Sequence, residues 1–161
     1  MNSHNFKNII AIDGPAGSGK STIARVLAQR LGLEYLDTGA MYRAVAFVVL
    51  QKSVSIHDQI KVLEIAQQID LKLEDDLCLI NNRDTTKEIR GAEVTKAVSV
   101  VAAMPNVRKE MVDRQRAWVD QRGGGVIEGR DIGSVVFPYA KVKVFLTATE
   151  AIRAKRRSEQ E

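Results

Sequence analysis

Short apolar runs alternate with longer stretches of helical periodicity along most of this chain. The run over residues 8–13 is apolar on both faces, as a strand buried in a parallel sheet is, and we predict a strand there. We predict three further short strands over residues 33–36, 126–128 and 142–146. Helical spacing predicts helices over residues 20–31, 39–51, 58–69, 94–104, 105–122 and 149–161. The first helix carries Ile23, Leu27 and Leu31 on one stripe and ends before Gly32. This alternation predicts an α/β fold with a doubly wound parallel sheet.

The middle of the chain has a different pattern. Its helix at residues 58–69 is amphipathic, with Ser55 as the expected N-terminal cap. Alternating segments then predict a small antiparallel meander with strands over residues 71–73, 77–80 and 85–89. We interpret residues 38–104 as an insertion into a core made of residues 7–37 and 105–148, with a further segment at residues 149–161.

The composition is that of a soluble domain with a buried core: 161 residues, 45% hydrophobic and 27% charged. One cysteine, Cys78, and two histidines, His4 and His57, argue against a disulfide framework or a zinc site. The net charge is only +4 and aromatic residues are 5%, so no nucleic-acid surface is indicated. No apolar run approaches the ~20 residues of a membrane span, and residues 1–8 lack the pattern of a secretory signal. We expect a cytoplasmic protein without nucleic-acid or membrane partners.

The segment after the first predicted strand is the strongest chemical motif. Residues 14–21 fit the phosphate-loop pattern G-x-x-x-x-G-K-[ST] between a strand and a helix. Its glycines let successive N–H groups point at one anion, and the helix presents its positive end to that anion.

Within this motif, Lys20 is placed to reach the β- and γ-phosphates of a nucleotide, and Ser21 to hold Mg²⁺. The alternative is a tight turn without a ligand. The predicted ATP-binding residues are Gly14, Pro15, Ala16, Gly17, Ser18, Gly19, Lys20, Ser21 and Thr22.

Two further polar motifs also follow predicted strands. Glu128 ends an apolar strand, where a carboxylate can bind Mg²⁺ through water; the alternative is a solvated acid. Arg130 and Asp131 come next and offer a cation for a phosphate and an acceptor for an amine, unless they form a structural salt bridge. Residues 37–43 form a polar turn that opens a helix, with Arg43 one turn in; the alternative is a simple helix cap with a surface arginine.

These motifs resemble those of the bacterial cytidylate kinases, a group of the nucleoside monophosphate kinases. The matching segments extend over nearly the whole chain and include residues 12–21, 36–43, 99–116 and 128–138, with Ser134 where that family commonly has threonine. The resemblance implies a P-loop kinase that uses ATP and Mg²⁺ to phosphorylate CMP and dCMP, and we expect a monomer. Two alternatives stay open: a nucleotide-binding fragment without catalysis, and a P-loop kinase for another small acceptor.

The resemblance also implies roles for single residues. Arg43 and Arg130 would clamp the acceptor phosphate, and together with Lys20 they form the predicted catalytic set. The predicted substrate-binding residues are Thr38, Tyr42, Arg43, Ser99, Arg108, Arg130 and Asp131, of which Ser99, Arg108 and Asp131 would contact the cytosine edge. Ser21 and Glu128 are the predicted metal ligands. In these terms the insertion at residues 38–104 is a monophosphate-binding subdomain, and residues 149–161 begin a lid that family members continue with a fifth core strand and a closing helix.

Overall fold

A computed structural model describes residues 8–160 of the chain. His4 and the segment before Asn8, on which the expectation of no secretory signal largely depends, lie outside the described residues. The described chain separates into two structural units: the core unit, residues 8–37 and 116–160, and the insertion unit, residues 38–115.

The elements in chain order are β1 (Ile9–Asp13), α1 (Lys20–Leu31), β2 (Tyr35–Asp37), α2 (Thr38–Gln51), α3 (Gln59–Gln68), β3 (Leu71–Glu74), β4 (Leu77–Ile80), β5 (Arg83–Asp84), α4 (Ala92–Ala102), α5 (Pro105–Arg122), β6 (Gly125–Gly129), β7 (Val142–Phe145) and α6 (Glu150–Gln160). A 3₁₀ turn covers Glu88–Arg90 and a π-helical turn covers Ile132–Val136. None of the described helices is long and apolar enough to cross a lipid bilayer.

The core unit is built on a four-stranded parallel sheet in the order β2-β6-β1-β7. All residues of β1 and β6 are buried, which explains why their sequences are apolar on both faces. The predicted α/β class, with its parallel sheet and a separate small antiparallel sheet, is confirmed.

Helix α1 has the predicted bounds but a different buried face. Gly32 follows its last residue with a φ of 64°, a left-handed conformation that favours glycine. However, Ile23 and Leu31 are 45% and 52% exposed, so the predicted stripe is wrong for these two residues, whereas Leu27 packs against the core. Ala24 and Ala28 pack on the sheet instead, because their short side chains let the helix lie close to β1 and β6.

The insertion unit combines helices with the predicted antiparallel meander, in the order β3-β4-β5. Its third strand differs from the prediction, since β5 is only Arg83–Asp84 and residues 85–89 are not a strand. The Asp84 carboxylate accepts hydrogen bonds from the Thr86 N–H and hydroxyl at 3.0 and 2.6 Å. The Cys78 N–H of β4 then donates to the Thr86 hydroxyl at 3.0 Å instead of to a backbone carbonyl, so the backbone ladder ends here.

Helix α3 is capped by a different residue from the one predicted. The Asp58 side chain accepts a hydrogen bond from the Lys61 N–H at 3.1 Å. The Ser55 hydroxyl instead accepts from the His57 N–H at 3.2 Å, one turn before the helix. Cys78 is buried in the core, and His57 is exposed.

Candidate active site

Three carboxylates stand at or next to the carboxyl ends of adjacent strands in the core unit. Asp13 ends β1, Asp37 ends β2, and Glu128 is the penultimate residue of β6, directly opposite Asp37. Residues 14–19 leave β1 at this same edge of the sheet. Parallel α/β sheets bind ligands beyond the carboxyl ends of their strands, so this edge is the candidate site.

The loop between β1 and α1 has the curled backbone that its glycines predict. Gly17 and Gly19 have φ values of 77° and 86°, and the Ser18 N–H donates to the Pro15 carbonyl at 3.2 Å. Gly19 precedes the first turn of α1 and has no side chain to cap it. A side chain at Gly14 would collide with the Leu146 carbonyl and come within 2.9 Å of the Ser18 hydroxyl. The loop therefore leaves the amides at the start of α1 available to an anion.

Lys20 lies over this loop, with its Nζ donating to the Pro15 carbonyl at 3.3 Å. Burial lowers the pKa of the Lys20 ammonium, and the carboxylate of Glu128, followed by those of Asp37 and Asp13, opposes that shift. Arg130 is close enough to lower the same pKa. One cation on the loop thus faces the carboxylates at the strand ends.

Glu128 is a buried carboxylate, 1% exposed, that accepts two side-chain hydrogen bonds. The Ser21 hydroxyl donates to its Oε2 at 2.9 Å, and the Tyr35 hydroxyl donates to its Oε1. Burial, together with the neighbouring Asp37 carboxylate, raises the pKa of Glu128. Burial also raises the pKa of Tyr35, which keeps its phenol protonated as a donor.

Tyr35 was missing from the sequence-based site. Its signal was available in principle, because a buried tyrosine in a strand requires a partner for its hydroxyl. What the sequence did not reveal is that β2 pairs with β6 and so brings Tyr35 next to Glu128.

Ser21 and Glu128 present hard oxygen ligands side by side, which fits Mg²⁺. Among residues 8–160, no group of three or more histidine, cysteine, aspartate and glutamate side chains is arranged to hold a metal ion. Proteins usually hold Mg²⁺ through one or two carboxylates, while water and substrate phosphates supply the remaining ligands.

The remaining predicted residues of the core unit lie in the loop after β6. Arg130 is exposed and Asp131 is half-buried. Asp131 precedes the π-helical turn, and its carbonyl accepts from the Val135 and Val136 N–H groups at 2.9 and 3.2 Å. Lys20, Ser21, Glu128 and Arg130 are therefore brought together within the core unit.

In the insertion unit, Arg43 of α2 contacts α4. Its Nη1 donates to the Thr95 hydroxyl at 3.0 Å and to the Ile89 carbonyl at 3.3 Å. Ser99 is exposed and lies one helical turn beyond Thr95, on the same face of α4.

Tyr42 and Arg108 form a second contact within the insertion unit. The Arg108 guanidinium lies over the Tyr42 ring, 5.7 Å from its centroid, and donates to the Ala102 carbonyl at 3.1 Å. Thr38 is buried at the start of α2. The predicted substrate residues are thus divided, with Thr38, Tyr42, Arg43, Ser99 and Arg108 in the insertion unit and Arg130 and Asp131 in the core unit.

Comparisons with known proteins all point to one family. The model of the cytidylate kinase family matches residues 10–161. The chain is 52% identical over 158 residues to the bifunctional pantoate ligase/cytidylate kinase of Trichormus variabilis, covering 94% of this chain and 29% of that protein. The corresponding protein of Trichodesmium erythraeum is 53% identical over 156 residues, covering 95% of this chain and 29% of that protein.

A third relative carries a single activity in its name. The cytidylate kinase of Mycobacterium leprae is 47% identical over 152 residues, covering 94% of this chain and 68% of that protein. The chain spans about three-tenths of the length of the two bifunctional relatives.

Proposed function

Since this chain belongs to the cytidylate kinase family, we propose that it transfers the γ-phosphoryl group of ATP to CMP and dCMP. The observation that carries the proposal is the arrangement in the core unit, where Lys20 lies over a glycine loop beside the hydrogen-bonded pair of Ser21 and Glu128. A nucleoside triphosphate with its Mg²⁺ is the ligand class that this combination fits.

In this proposal the amides of residues 14–19 and the start of α1 bind the β- and γ-phosphates, and the Lys20 ammonium neutralises their charge. Ser21 and Glu128 hold Mg²⁺, which when bound neutralises charge that develops on the phosphate oxygens. Buried hydrogen bonds to Ser21 and Tyr35 keep the Glu128 carboxylate in one orientation.

The acceptor is proposed to bind through Arg43 and Arg130, with Thr38 and Tyr42 lining its pocket and Ser99, Arg108 and Asp131 contacting the cytosine edge. The attacking phosphate oxygen is already anionic, so no general base is required. Catalysis then consists of placing the two nucleotides and neutralising their charge. A cytoplasmic location and a monomeric state remain predictions.

An assay of ADP release tests the proposal with ATP and a panel of acceptors: CMP, dCMP, UMP, AMP, GMP and water alone. Release is expected with CMP and dCMP above the other acceptors. Lys20→Met should abolish it, while Lys141→Met, which removes the same charge from an exposed site of the core unit, should leave it unchanged.

Two results would overturn the proposal. Binding of ATP without transfer to any acceptor would favour a nucleotide-binding module. Faster transfer to another acceptor than to CMP or dCMP would favour a P-loop kinase with a different substrate.

A further inference from the structure

Asp13, the last residue of β1, makes a contact that the proposed chemistry does not use. Its Oδ1 accepts a hydrogen bond from the Ile132 N–H and its Oδ2 accepts one from the Gly133 N–H, both at 2.8 Å. The side chain is 8% exposed. Both oxygens of this buried carboxylate thus accept hydrogen bonds from two consecutive backbone amides that lie far away in the sequence.

Those amides open the π-helical turn Ile132–Val136, which follows directly after Arg130 and Asp131. The first N–H groups of a helical turn have no partner within the turn and are normally satisfied by the side chain just before it. Here Asp131 occupies that position and makes no capping bond through its side chain. Asp13 provides the cap from a neighbouring strand, so the Asp131 carboxylate is not used for it.

The fit between β1 and this loop is close. A Cβ at Gly133 would lie 3.1 Å from the Lys143 side chain and in van der Waals contact, at 3.4 Å, with the Asp13 Oδ2. On the other side of the loop, the Gly14 N–H donates to the Gly129 carbonyl at 3.3 Å. The loop that carries Arg130 and Asp131 is therefore bonded at one end to Gly14, the first residue of the phosphate loop, and at the other end to Asp13, the last residue of β1.

We propose that Asp13 is a positioning residue for the acceptor: by holding the Ile132 and Gly133 amides, it sets where Arg130 and Asp131 stand relative to the phosphate loop. This inference rests on the proposed function, because it assigns the two held residues to the acceptor. Displacing a binding group by about 1 Å can lower a rate on the order of 10²-fold, and we expect a loss of this size when the Asp13 contact is removed.

The test is Asp13→Asn, which keeps the size of the side chain but replaces one acceptor oxygen with an NH₂ donor. One of the two loop amides then faces a donor. We expect kcat/KM for CMP to fall on the order of 10²-fold. The Kd of ATP, measured by calorimetry without CMP, should change by a much smaller factor, because Asp13 acts on Lys20 only through its charge. Hydrogen exchange at the Ile132 and Gly133 amides should accelerate.

Two further variants separate positioning from a loss of stability. Glu34→Gln removes one charge from an exposed site of the core unit and should change none of the three measurements. Gly133→Ala leaves the carboxylate in place and disturbs the contact from the loop side, so it should change the same quantities in the same direction by a smaller factor. It also provides the test if Asp13→Asn does not fold.

The outcomes are distinct. Wild-type exchange at both amides in Asp13→Asn, or an equal loss of ATP and CMP binding, would overturn the positioning role. A wild-type protein that transfers nothing to CMP would instead overturn the proposed function.

Discussion

At the scale of single residues, Glu128 destabilises the fold when its buried carboxyl group is ionised, and the same group is proposed to bind Mg²⁺. Burial and the Asp37 carboxylate raise its pKa above the ordinary value of 4.5 despite two donated hydrogen bonds. The folded protein therefore binds this proton more tightly than the unfolded chain does. The stabilisation of the fold that this bound proton provides is fully present at a pH below the ordinary pKa of a glutamate. It is lost as pH rises through the raised pKa of Glu128.

Replacing Glu128 with glutamine should therefore stabilise the fold at neutral pH. The amide has no charge to bury, and the Tyr35 and Ser21 hydroxyls can rotate to pair with it. The excess in unfolding free energy over the wild type, measured by urea denaturation, should be largest at pH 7 and shrink towards pH 4. The same variant should lose Mg²⁺-dependent activity. A wild-type protein more stable than Glu128→Gln at pH 7 would contradict this account.

Arg130 and Ser99 are both exposed but should contribute very differently to transfer. An arginine clamp on a reacting phosphate, the role proposed for Arg130 at the acceptor, can contribute on the order of 10³-fold or more. A single hydrogen bond to a base contributes about 0.5–1.5 kcal/mol, roughly 10-fold at most. Steady-state kinetics should therefore show a far larger loss of kcat in Arg130→Ala than in Ser99→Ala. The reverse order would refute the assigned roles.

The curled loop between β1 and α1 was predictable because its sequence pattern is local. Glycines, lysine and serine within eight positions predict an anion site between a strand and a helix, and that site stays a prediction. Tyr35 and Asp13 were not predictable in the same way, since their partners lie 93 and about 120 positions away. Only the strand order places them beside Glu128 and the loop after β6.

At the scale of elements, helix α3 offers a direct test of which residue caps it. The Asp58 carboxylate satisfies the Lys61 N–H, so Asp58→Ala should cost about 1 kcal/mol of stability. Asp58→Asn should be nearly neutral because an asparagine oxygen caps as well. Ser55→Ala should change stability by less than about 0.5 kcal/mol, as surface substitutions usually do. Thermal denaturation of the three variants measures the order of their stabilities. A greater loss of stability in Ser55→Ala than in Asp58→Ala would restore the sequence-based assignment of Ser55 as the cap.

The bounds of the elements were more predictable than their contacts. Helix α1 ends at Leu31 because Gly32 takes a left-handed conformation, which is a local property. The burial of Ala24 rather than Ile23 depends on how close the helix lies to the sheet, which hydrophobic periodicity does not report. Likewise, residues 85–89 have a strand-like pattern, but the Thr86 hydroxyl accepts the Cys78 N–H in place of a backbone carbonyl, and the strand ends at Asp84.

At the scale of the whole molecule, the chain leaves the core unit after β2 and returns to it within α5, between Gln115 and Arg116. The residues proposed for ATP all belong to the core unit, whereas those proposed for CMP come from both units. Donor and acceptor should therefore protect different parts of the chain.

Hydrogen exchange with each nucleotide alone measures this difference. A ligand at 100 times its Kd stabilises the state that binds it by about 2.7 kcal/mol, enough to slow exchange through local opening about 100-fold. ATP with Mg²⁺ should slow exchange in residues 14–22, whereas CMP should slow it at the start of α2, along α4 and in the loop after β6. Lys20→Met should remove the ATP effect and preserve the CMP effect, which makes it the matched control. Protection of α2 and α4 by ATP alone, or of residues 14–22 alone by CMP, would contradict the division of donor and acceptor residues between the two units.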